Sequence, residues 1–157
     1  MKTATVQEIK QELSSLKPKE LIDLSLRLAR FKKENKELMT FLLFEAHDEA
    51  GYVAGIKLEV DELFTTINTA HLYFAKKTIR KILRYINKYI RYTGSKEVET
   101  ELLIYFCKKL KESGIPFDQN LALHNLYLNQ VRKIKKSIQG LHEDIQHDYR
   151  KELALLD

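Results

Sequence analysis

Residues 75–92 read AKKTIRKILRYINKYIRY. Wound at about 100° per residue, Lys76, Lys77, Arg80, Lys81, Arg84, Lys88 and Arg91 fall within roughly 140° of the helical wheel. Ile79, Ile82, Leu83, Ile86, Tyr89 and Ile90 fill the opposite side, with Tyr85 and Tyr92 on the border. Lys77, Lys81, Arg84, Lys88 and Arg91 follow one another at spacings of 4, 3, 4 and 3, which predicts a single row of cations roughly 21 Å long at about 1.5 Å rise per residue. The segment is an amphipathic helix, and the rest of the chain repeats its apolar period.

The charge of that helix is one-sided. Residues 63–96 hold eight Lys or Arg and no Asp or Glu, in a chain whose net charge is +5. The flanking stretches are slightly acidic: ten basic against twelve acidic side chains in residues 1–62, nine against ten in 97–157. Like charges at i,i+4 disfavour a helix by a few tenths of a kcal/mol per pair. The row therefore needs counterions, an acidic neighbouring helix, or an anionic partner such as an acidic protein, a nucleic-acid backbone or a lipid surface. A solvated face whose long side chains cover the apolar seam is the plainest of these outcomes.

With 157 residues, five Gly and two Pro, the chain fits one domain over 1–157, built of long helices with short connections. So few breakers argue against a β sandwich or barrel. The start, MKTATVQEIKQEL, is charged throughout, so a secretory signal is not expected. No apolar run approaches the length of a membrane span. Cys107 is the only cysteine, which suits a reducing, cytoplasmic setting, and a lone thiol on a helix is ordinarily a small core group.

Outward from the basic helix, the pattern predicts about seven helices. Thr5 and Glu8 have the spacing of a capping box ahead of Val6, Ile9, Leu13 and Leu16. Pro18 suits the first turn of a second helix, lined by Leu21, Leu24, Leu28 and Phe31. The polar link 32–35 ends with Asn35 as N-cap of a third, carrying Leu38, Phe41, Leu42 and Phe44. Asp48 caps a fourth, with Tyr52, Val53, Ile56, Val60, Leu63, Phe64 and Ile67. There Gly51 and Gly55 either admit a close neighbouring helix or mark a loose start.

Asn68 or Thr69 caps the basic helix, and Gly94 ends it. Ser95 opens the next, striped by Val98, Leu102, Phe106 and Leu110. Glu97 and Glu99 lie at its start and Lys108, Lys109 and Lys111 at its end, matching the helix dipole. Gly114 closes it, and Asp118 caps the last. From Gln119 the chain is nearly free of breakers. Val131, Ile134, Ile138, Leu141 and Ile145 repeat at 3 and 4, giving one helix of about 36 residues if unbroken. Gly140 is the natural place for a bend.

The segments KELMTFLLF, 36–44, and KEVETELLI, 96–104, echo one another at an offset of 60. Each follows an apolar helix and a polar link. The expected fold is all-α, with antiparallel hairpins either stacked as an α-solenoid or gathered as an irregular bundle, and a long C-terminal helix. In a generic way the hairpins resemble HEAT or armadillo helices, a resemblance that implies a shape and no ligand.

Little here points to chemistry. His142, Glu143, Asp144, His147 and Asp148 form the one ligand-rich cluster, yet it interrupts the Leu141–Ile145 seam and so points outward. A di-iron site would need a second such helix. Glu45, His47, Asp48 and Glu49 sit at a helix junction and read as capping groups. Phosphate-binding glycine loops and the G-x-S-x-G and H-E-x-x-H motifs are absent. No catalytic residue, metal ligand or cofactor is assigned, and the chain is expected not to be an enzyme.

The expected function is a helical interaction module that binds another protein, an acidic one among the candidates, through Lys77, Lys81, Arg84, Lys88 and Arg91. The alternative is nucleic-acid or other polyanion binding by the same face, with Tyr85, Tyr89 and Tyr92 available to stack on bases. Arg132, Lys133, Lys135 and Lys136 form a second basic cluster whose position relative to the first the sequence does not set. Membrane attachment ranks last, because the apolar side of the basic helix is needed for the core.

Overall fold

The computed structural model describes residues 1–156. All regular structure is helical, with eight α-helices and no strand among the described residues. The chain falls into two compact units, Met1–Phe44 and Glu45–Asp157, where the composition suggests one domain over 1–157.

In the first unit, α1 (Val6–Ser15) starts at the Thr5–Glu8 capping box. The Thr5 hydroxyl accepts from the Glu8 N–H, and Glu8 Oε2 accepts from the Thr5 N–H at 2.7 Å, which holds the Glu8 carboxyl below its usual range. Helix α2 (Pro18–Phe31) has proline in its first turn. It ends at Lys32, whose extended backbone (φ −144°, ψ 146°) also opens α3 (Lys33–Thr40). Asn35, expected as the cap of α3, instead lies inside it and donates its side-chain amide to the Leu28 carbonyl at 2.8 Å. A π-helical turn, Phe41–Glu45, follows. Helices α2 and α3 pack on one another, yet no side chain of α1, α2 or α3 is buried.

The second unit contains the core. Helix α4 (Glu49–Thr65) is capped by Asp48, which accepts from the Gly51 N–H at 2.9 Å. A β-carbon on Gly51 would lie 2.2 Å from that carboxylate. The glycine thus makes room for the helix's own cap, not for a neighbouring helix, and Gly55 faces open space. Helix α5 (Leu72–Thr93) starts after His71, three and two residues later than the Asn68 or Thr69 start expected. Asn68 spends its side chain on the Ala70 N–H in the preceding turn. Gly94 ends α5 with φ 64°, a conformation that other residues adopt at a cost.

Ser95 caps α6 (Lys96–Glu112), and Gly114 (φ 69°) lies just beyond it. Asp118 does not cap the next helix, because it sits in a 3₁₀ turn, Phe117–Gln119. Asn120 caps α7 (Leu121–Ile138) in its place. The expected long C-terminal helix is two helices: α8 (Glu143–Ala154) begins after a break at Gln139–His142. The Gly140 and Leu141 N–H groups close the end of α7 on Ser137 and Ile138. A β-carbon on Gly140 would come within 2.9 Å of Lys96 Cδ. The break returns the chain to the core, where Leu153 and Leu156 are buried and the Tyr127 hydroxyl donates to the Leu156 carbonyl at 2.6 Å. An unbroken rod would carry those leucines into water.

Helix α6 is the centre of this unit and packs against α4, α5, α7 and α8. Its buried positions, from Val98 round to Ile104, span about 240° of the helix, so it is not amphipathic in the ordinary sense. Buried Thr100 and Ser137 both donate to the Lys96 carbonyl, at 2.9 and 3.0 Å. Lys57 meets Glu101, Asp61 meets Tyr105, and Lys108 meets Glu152, each pair 44 residues apart. The constant offset means that α4, α6 and α8 run side by side in the same direction.

Candidate interaction surface

The surface is built on α5. Ala75, Ile79, Ile82, Ile86 and Ile90 are buried, and they centre about 180° from the Lys77–Arg91 row at 100° per residue. Burying that stripe forces the cations outward. Lys77, Lys81, Arg84 and Arg91 are exposed, and none of them meets a carboxylate among the described residues. Lys88 is half-buried, its ammonium 4.5 Å from the centre of the Tyr89 ring and 6.0 Å from that of Tyr85. Four members of the predicted row thus form one outward strip, while Lys88 lies down over its tyrosines.

Those tyrosines are packed edge-of-core groups. The Tyr85 ring lies 4.6 Å from Tyr89, Tyr89 lies 5.6 Å from Tyr92, and Tyr52 meets Tyr89 edge-on at 6.2 Å. The Tyr85 hydroxyl is hydrogen-bonded to the Glu59 carboxylate. Burial first, and that bond second, push its pKa well up.

Two aromatic residues outside the predicted row belong to the same face. Tyr73 and Phe74, 70% and 51% exposed, precede Lys77 by four and three residues and pack edge-to-face at 5.4 Å. Their i, i+3 and i, i+4 spacing to the first lysine was the available signal. The strip is therefore aromatic at its N-terminal end and cationic along the rest.

Carboxylates of this unit gather elsewhere, around a cleft of about 420 Å³ lined by α4, α6 and α8. Lys57–Glu101 and Lys108–Glu152 close at 2.5 Å there, and Lys109–Asp61 at 2.8 Å nearby. The Lys109 ammonium and the Tyr105 hydroxyl hold Asp61 below its usual range. Burial, then Glu101, Glu97, Glu152 and Glu49, push Tyr149 up.

Arg132, Lys133 and Lys136 are exposed on α7, which contains no acidic residue. The His142–Asp148 cluster lies in and just before the first turns of α8. His142, Glu143, Asp144, His147 and Asp148 are exposed, and His142 serves as N-cap. No group of three metal-ligating side chains converges among the described residues. Of the clump before α4, Asp48 is a cap and Glu49 accepts from the Ser95 hydroxyl at 3.2 Å. Cys107 is buried and its thiol is pushed up to about 12 by burial, so it is held as a neutral core group. No helix among the described residues is long and apolar enough to cross a membrane.

The chain matches no protein-family model, no curated protein and no solved structure.

Proposed function

We propose that this protein is a non-enzymatic helical docking module that binds an acidic protein through the outward strip of α5. One observation carries the reading: Lys77, Lys81, Arg84 and Arg91 stand exposed on one face, with no ion-pair partner among the described residues, opposite a buried isoleucine stripe. A folded domain gains nothing from such a row, since like charges at i,i+4 cost a few tenths of a kcal/mol per pair. An acidic helix laid along it relieves that repulsion, and Tyr73 and Phe74 offer an apolar anchor at one end. A cytoplasmic setting belongs to this reading, supported by the neutral, buried Cys107.

The same reading takes the second unit as stacked helical hairpins, α4 with α5 and α6 with α7, followed by α8. In its support, α4, α6 and α8 begin at Glu49, Lys96 and Glu143, 47 residues apart each time, within the roughly 40–47-residue period of HEAT-type repeats. Solenoids of this type bind partners along an extended helical surface. Nucleic acid is the second reading. It has the cations in its favour, and against it the packing of Tyr85, Tyr89 and Tyr92 into one another, which leaves only Tyr73 and Phe74, at one end of the strip, open to stack on bases.

Fluorescence anisotropy separates the two, with a Glu-rich helical peptide and a single-stranded oligonucleotide as probes. Reversing Lys77, Lys81 and Arg84 to Glu is expected to weaken peptide binding at least about tenfold, and more at low salt. Peptide affinity unchanged by the reversal would overturn the proposal. Oligonucleotide binding tighter than about 10⁻⁴ M at physiological salt and lost on reversal would favour the second reading.

A further inference from the structure

We propose that the first unit is a self-association element, and that the occupant of its bare apolar edge is α2 of a second copy of this chain. Helix α2 carries apolar residues round more than half its circumference. Only Leu21, Ser25 and Ala29 are half-covered, while Leu24, Leu28 and Phe31 on one side and Ile22 and Leu26 on the other are exposed. An apolar surface this continuous on a short helix marks an interface.

The charges bordering it identify the occupant. Beside the Leu24–Leu28–Phe31 edge stand Glu20 and Arg27, seven residues apart. On a helix that places them within about 20° of each other and about 10 Å apart along the axis. An edge of one sign, like the row on α5, calls for a partner of the opposite sign. An edge carrying one acid and one base complements itself across a two-fold axis. With that axis passing between Asp23 and Leu24, an antiparallel second α2 sets Glu20 against Arg27 of the other copy and Arg27 against its Glu20. Leu24 and Leu28 then close the seam from both sides. Glu20 is already held in place, since its Oε2 accepts from the Lys17 N–H at 2.7 Å.

Sedimentation velocity on the full chain tests this. The wild type is expected to dimerise by about 100 µM, a modest affinity suited to a short seam. Leu24→Glu with Leu28→Glu is expected to yield a monomer of unchanged helicity. Glu20→Lys and Arg27→Glu each place like charges across both ends of the seam, so each alone is expected to weaken dimerisation about tenfold. An equimolar mixture of those two variants restores both attractions and should dimerise as well as the wild type. The proposal is overturned by a wild type that stays monomeric at 100 µM, by a dimer that survives Leu24→Glu with Leu28→Glu, or by a mixture no better than its components.

Discussion

KELMTFLLF at 36–44 and KEVETELLI at 96–104 share a pattern and meet opposite fates. Leu42, Leu43 and Phe44 are 58%, 66% and 67% exposed, whereas Leu102, Leu103 and Ile104 are 0%, 0% and 2% exposed. The second segment opens α6, which four helices surround. The first runs from the end of α3, which packs on α2, into the π-helical turn Phe41–Glu45, where Phe41 alone is buried. Their resemblance therefore reflects the shared demands of a capped, apolar helix, and burial depends on how many neighbours arrive. The same contrast holds for charge: the second unit displays a row of one sign, and the first has edges of both signs.

The sharpest break of this comparison is a pair of truncations read by denaturant unfolding. Leu103→Ala is expected to cost about 2–5 kcal/mol, the usual penalty for a cavity in a close-packed core. Leu43→Ala should fall within about 0.5 kcal/mol of the wild type, as exposed positions do. Equal effects would mean that the two segments are structurally equivalent after all.

A smaller effect concerns the ion pairs that join α4 to α6. Asp61 has its folded pKa depressed by Lys109, so its contribution is present above the unfolded carboxylate value, near 3.9, and is lost as pH falls through the lower folded value. The pair is partly exposed, at 39% for the Asp61 side chain and 31% for Lys109, and screening reduces its worth. Asp61→Asn is therefore expected to cost about 0.5 kcal/mol at pH 7, a cost that fades as pH falls through the folded value. A pH-independent cost measured by thermal melts would assign the loss to the Tyr105 hydrogen bond instead.

The smallest expected effect is on the docking strip itself. Lys77→Ala with Lys81→Ala should leave stability unchanged or raise it by about 0.3 kcal/mol through relief of i,i+4 repulsion. A clear loss would show that the row supports the fold and would remove the ground for a docking role.

Much of the architecture was legible before folding. The Thr5–Glu8 box, Pro18, Asp48, Gly94 and Ser95 stand where their chemistry placed them, because caps and left-handed turns are decided within a few residues. Of the misplaced boundaries, Asn35, Asn68 and Asp118 are polar residues whose side chains are spent on a nearby backbone carbonyl or N–H. That Lys77, Lys81, Arg84 and Arg91 share the face opposite the isoleucines followed from periodicity, whereas their exposure depended on what packs against α5. Tyr73 and Phe74 were missed because exposed aromatics read as core until neighbours are known.

What the chain dictates by itself is local: which segments coil, where most of them start and stop, and that one helix bears cations on the side opposite its isoleucines. Those properties follow from backbone sterics and a 3.6-residue period. Only the tertiary structure decided that α6 is wrapped on nearly all sides, that the last helix breaks at Gly140 to return Leu153 and Leu156 to the core, and that α2 leaves Leu24, Leu26 and Leu28 exposed. Burial is a property of what packs against a residue, and α6 has neighbours 44 residues and more away along the chain, beyond the reach of any local pattern.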